Sequence, residues 1–133
     1  VADVKRTDGQ DRLDGMMTGL ARGRVALGVA AVVAPKLTVR ALGIGAGADP
    51  GRDYIVRAFG AREIALGAGY LLSRDDSGRR LWGRLGLAVD SLDLMAGLKT
   101  RPGLPLWVTA TTVAVAGSAT ALGAAKVVGD LTR

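Results

Sequence analysis

Neither cysteine nor histidine occurs among the 133 residues of this chain, and only five residues are aromatic. Without cysteine or histidine there are no disulfides, thiolate nucleophiles, Cys/His zinc sites, histidine-based triads or axial haem ligation by histidine. Asp, Glu, Arg, Lys, Tyr, Ser and Thr remain for chemistry, and no motif among them supplies an activated nucleophile or a metal cage. No catalytic residue, metal or cofactor is therefore expected. The shortage of aromatics also bears on partners. Net charge is +6, but the basic residues stand at segment ends with no base-stacking rings interleaved, so nucleic acid is not an expected partner. Strand signals are nearly absent, which leaves an all-α chain with room for one domain.

What is abundant is small and apolar. Hydrophobic residues make up 49 % of the chain, and twenty residues are glycine. Each interior glycine costs a helix about 1 kcal/mol relative to alanine, a poor choice for an ordinary soluble bundle. In lipid the same residues let backbones approach closely. Fourteen arginines against four lysines suit segment ends facing anionic headgroups.

In chain order, Val1 to Asp14 is a polar leader of mixed charge, unlike a signal peptide, and residues 15–133 read as a helical membrane domain. The first helix runs Leu13 to Ala34 and stops at Pro35. Gly15, Gly19 and Gly23 repeat every four residues within it and read as a packing face. Its uncharged part, Val25 to Ala34, spans only about 15 Å, short of a hydrocarbon core of about 30 Å. Arg22 is then either a snorkelling headgroup contact or a buried partner. A connector follows, with Lys36 to Leu42 as a short interfacial helix. Gly43-Ile44-Gly45-Ala46-Gly47 resembles a dinucleotide fingerprint only superficially, because no strand precedes it.

The second helix is Asp53 to Leu72 with Asp53 as N-cap, the third Leu81 to Leu98, and the fourth Leu104 to Ala125. The fourth contains twenty-two residues and no charge, the length of a bilayer span. Gly117, Ala121 and Ala125 form its packing stripe. Trp82, Trp107 and the two tyrosines read as interface residues. Eight basic residues in the leader, the 73–80 turn and the tail oppose five on the other side, which favours cytoplasmic termini.

The charges inside these helices carry the most information. On the third, Gly83, Gly86, Asp90, Asp93 and Gly97 share about a quarter of the circumference, opposite Leu81, Leu85, Ala88, Leu92 and Met95. On the second, Gly60, Glu63 and Gly67 share a face, with Arg57 at its edge and Arg62 pointing elsewhere. A charge at a helix centre costs about 2.5–3.5 kcal/mol on insertion scales, and each large apolar residue returns only about 0.3–0.6. Neither helix repays its charges alone. Arg57 or Arg62 is expected to pair with Asp90 or Asp93, and Arg22 is a third candidate cation.

The order Ala21-Arg22-Gly23, Pro35, Arg57-x-x-Gly60-x-Arg62-Glu63, Trp82 and Asp90-x-x-Asp93 resembles a group of small, uncharacterised four-pass membrane proteins of actinobacteria, some labelled cyclase/dehydrase-like. The likeness covers about residues 13–100 and implies a fold and a membrane location. No soluble cyclase domain is expected in these residues, so the label implies no enzymatic activity here.

The sequence thus leads to a four-helix transmembrane bundle with a short interfacial segment after helix one. Its expected role is that of a structural or accessory subunit in a bacterial membrane complex. Its partners would be the lipid bilayer and other membrane subunits or further copies of itself. A small membrane enzyme, or a lipid or anion binder using Arg22, Arg57, Arg62, Glu63, Asp90 and Asp93, is the alternative. A soluble helical oligomer is a third, because mean hydropathy is only +0.27.

Overall fold

A computed structural model of the chain describes residues 8–100 and 121–132. These residues are all-helical: α1 (Asp8–Val33), α2 (Pro35–Leu42), α3 (Pro50–Leu72), α4 (Asp76–Thr100) and α5, residues 121–131. The fourth helix expected from the sequence lies outside the described residues except for its last few positions, and so do Gly117 and Trp107.

Helix boundaries follow local chemistry more closely than apolar pattern. α1 takes in part of the polar leader: it is helical from Asp8, the first described residue, onward. It ends where Ala34, held before Pro35, turns away from helical geometry. Pro35 then opens α2 at a position where its missing N–H costs nothing. Gly43 closes α2 with φ 69°, its N–H bonding Arg40 O while the Ile44 N–H reaches back to Val39 O, a Schellman stop. The N-cap of α3 is Asp49, not Asp53: its side chain accepts from the Arg52 N–H at 2.9 Å, and Pro50 takes the first helical position. The Asp49-Pro50 pair is thus a helix start.

α4 likewise starts earlier than its apolar pattern, because Asp75 caps it. The Gly78 N–H donates to Asp75 Oδ1 at 2.8 Å. That bond, with help from the Ser77 hydroxyl, holds the exposed carboxyl below its usual range. Its folded pKa is depressed, so the contribution is present above the unfolded value and lost as pH falls through the folded one. Asp75→Asn is expected to keep the cap and remove this acid sensitivity. Asp75→Ala should speed amide exchange at Gly78 and Arg79, read by hydrogen exchange across acid pH.

α1 and α3 form the main contact and run antiparallel, with α4 laid against them. Their apolar core has two parts. Met17, Ala21 and Tyr70, with Leu20, Trp82 and Leu122, fill one end. Ala31, Val39 and Val56, with Phe59, fill the other. Tyr70 and Trp82 are therefore packing residues: Tyr70 is buried, and the Trp82 ring lies where a side chain on Gly69 would stand.

Gly60 and Gly67 are the close-approach points of α3. A Cβ on Gly60 would sit 2.7 Å from Gly28 O, and one on Gly67 would sit 2.5 Å from Ala21 O. The packing face expected on Gly15, Gly19 and Gly23 is a correction. All three are exposed, with no described atom within 4 Å of a Cβ placed there. A strict four-residue repeat drifts around an α-helix, whereas Met17, Ala21, Arg24, Gly28 and Ala31, which are the buried residues of α1, alternate steps of four and three and stay on one face. Gly19→Ala and Gly23→Ala should therefore each stabilise the fold, by about 0.5–1 kcal/mol, measured by chemical unfolding. The stripe on the last helix shifts in the same way. Ala121 and Ala125 are exposed, and Gly123 is buried against the Leu87 side chain.

α1 is 26 residues long, and an 18-residue window of it reaches a mean hydropathy of 1.4. Among the described residues it is the one helix long and apolar enough to cross a membrane.

Candidate functional site

Between the two apolar clusters lies a layer of charge. Arg24 of α1 is its centre. One guanidinium nitrogen donates to Glu63 Oε2 of α3 at 2.8 Å, and the other reaches Asp90 Oδ2 of α4 in a very short contact. Arg24, Glu63 and Asp90 are all buried. Glu63 also accepts from Arg62 through Oε1 at 3.2 Å. Arg62 in turn makes a two-pronged pair with Asp93, at 3.0 and 2.7 Å, and its guanidinium stacks 4.8 Å above the Phe59 ring. The result is one relay, Asp90–Arg24–Glu63–Arg62–Asp93, that ties three helices together.

The local reason for each placement is spacing. Ala21-x-x-Arg24-x-x-x-Gly28 on α1 and Gly60-x-x-Glu63-x-x-x-Gly67 on α3 carry the same small–charged–small pattern. Set antiparallel, the small residues bring the backbones together and leave the two charges facing. Gly86 of α4 plays a different part. The atom nearest to a Cβ built there is the Arg24 guanidinium, at 3.3 Å, so this glycine makes room for an arginine head rather than for a neighbouring backbone. Gly97 is partly buried near the far end of α4.

Two of the residues expected in the cluster are not in it. Arg22 is exposed, two residues out of phase with the buried face, and Arg24 takes the place considered for it. Arg57 is exposed at the rim, where Nε donates to Val32 O at 3.3 Å. The signal that could have found Arg24 is the shared spacing above. It was obscured by the many small residues of α1, which make several faces look equally suited to packing.

Three carboxylates face two guanidinium groups, so the seam holds acceptors in excess. Arginines already engaged by carboxylates make poor receptors for a further anion. Among the described residues, no group of acidic side chains is arranged to hold a metal ion. The void beside Arg24 and Asp90 measures about 20 Å3, enough for about one water. Comparison with family models, curated proteins and solved structures gave no match for the chain.

Proposed function

We propose that the chain is a multi-pass helical membrane protein with a structural role, an accessory subunit whose helices are clamped by the Arg24–Glu63–Asp90 seam. One observation carries the reading. α4 buries Gly86 and Asp90 while Leu81, Leu85, Leu92, Met95 and Leu98 stay exposed. A helix surrounded by water sorts these residues the other way. Turning carboxylates inward and leucines outward fits a helix whose surroundings are lipid or other apolar helices. α1 and α3 add exposed Leu27, Val29, Val33, Ile55, Leu71 and Leu72 to the same outer surface. The resemblance to four-pass proteins, and the excess of basic residues in the leader, the 73–80 turn and the tail over the other side, agree with this arrangement and with cytoplasmic ends.

An enzyme or an anion binder working at the seam is disfavoured by its one-water void and its surplus of carboxylates. A soluble oligomer would hide the same leucines between copies. Membrane fractionation followed by a carbonate wash separates the readings. The chain is expected to stay in the pellet, and its release into the wash would overturn the membrane assignment. Mild-detergent purification from the native host should then recover it with other membrane subunits. A monodisperse monomer without companions would remove the accessory role.

A further inference from the structure

A second polar place lies far from the seam, in the segment that joins α1 to α3. A cavity of about 220 Å3 opens between α2 and the loop that follows it. Its charged lining consists of Lys36, Arg40 and Arg52, with no carboxylate among the lining residues. This is the reverse of the seam, where every arginine is matched. Lys36 and Arg40 stand one turn apart on α2, both exposed, and neither forms an ion pair with a described residue.

Arg52 is held in place by the loop itself. Its Nη2 donates to Gly47 O at 2.8 Å. Its Nη1 covers Gly45, where φ is +139° and a Cβ would collide with the guanidinium. Asp49 accepts from the Arg52 backbone N–H, and Asp53 follows Arg52 in the first turn of α3, its Oδ1 buried and without a hydrogen-bond partner among the described residues. The Arg52 Nε is buried and has no hydrogen-bond partner among the described residues. Three cations around one cavity, with no carboxylate in its lining, repel one another. That repulsion falls when an anion enters.

We propose that this cavity binds a phosphate group, either free phosphate or a phosphomonoester headgroup. The number of cations selects the anion. A phosphomonoester carries about −1.5 to −2 at neutral pH with three acceptor oxygens, which suits three cations around one cavity better than a single carboxylate does. The glycines serve here to seat Arg52, so the site needs no strand before the loop and differs from a dinucleotide-binding turn. The inference stands independently of the membrane assignment, although Leu37, Leu42 and Ile44 of the same segment are exposed.

Isothermal titration calorimetry of the full chain in detergent, with inorganic phosphate at low ionic strength, tests it. Saturable binding is expected, weakened about tenfold or more by Arg52→Gln and by the double change Lys36→Gln/Arg40→Gln. The double variant alters only exposed side chains, so retained helicity by circular dichroism keeps the result interpretable. Arg79→Gln/Arg80→Gln, at the start of α4, should leave binding unchanged. Phosphatidylcholine vesicles with a minor fraction of phosphatidic acid identify the source: competition with inorganic phosphate assigns the site to a headgroup, and its absence assigns it to free phosphate. If neither probe binds, or if the control pair weakens binding as much as the site variants do, the proposal fails.

Discussion

Arg24→Leu is expected to be the most damaging single substitution in the chain. It leaves Glu63 and Asp90 buried, ionisable and without their common partner. Breaking a buried ion pair from one side costs about 3–5 kcal/mol, comparable with the whole stability of a small domain. Arg22→Leu, two residues away on the exposed side, should change little. Arg24→Lys should fall between them, because a single ammonium replaces a fork that reaches two helices. The triple change Arg24→Leu/Glu63→Leu/Asp90→Leu should recover much of the loss, since replacing a whole buried network by apolar residues is often neutral. Chemical unfolding followed by circular dichroism gives the comparison. An Arg24→Leu midpoint close to wild type would sink the idea that the seam holds the helices together.

The second large effect is expected where α1 and α3 touch backbone to backbone. A Cβ on Gly28 would stand 2.5 Å from Gly60 O and 2.7 Å from Ile64 Cγ1, and one on Gly60 would stand 2.8 Å from Ala31 Cβ. None of these neighbours is the free end of a flexible side chain, so the helices themselves must move. Gly28→Ala and Gly60→Ala should each cost about 1–3 kcal/mol through overpacking. Their sum should exceed the cost of the double variant, because the first separation relieves the second clash. The opposite sign is expected at Gly19 and Gly23. A protein in which alanine is tolerated equally at all four positions would not be packed as described here.

Much of the helical content was legible from residues alone, and so was the sidedness of α4. Asp90 and Gly86 on one side and Leu81, Leu85, Leu92 and Met95 on the other define its inner and outer faces without knowledge of any neighbour. Glu63 could be placed in the seam for the same reason: it lies between two glycines on one face. Insertion costs showed that these carboxylates needed cations, but not which cations. That choice depends on the phase of α1, and Gly15, Gly19, Ala21, Gly23, Ala26, Gly28, Ala30 and Ala31 offer small residues in almost every direction. Only the match between the Ala21–Arg24–Gly28 and Gly60–Glu63–Gly67 spacings selects one of them. Helix starts were misplaced because apolar periodicity begins later than capping does, at both Asp49 and Asp75. The cationic cavity was not legible at all. It depends on a loop bending back over Arg52, which no periodic pattern encodes.

The order in which the seam is made also matters. Arg24 leaves the ribosome first, and its partners follow 39 and 66 residues later. Until α4 is synthesised, the growing chain carries a cation that nothing in it can fully satisfy. A product that stops short of Asp90 leaves the Arg24 guanidinium with Glu63 as its one acidic partner in the seam. The relay therefore becomes complete only once α4 has supplied both Asp90 and Asp93.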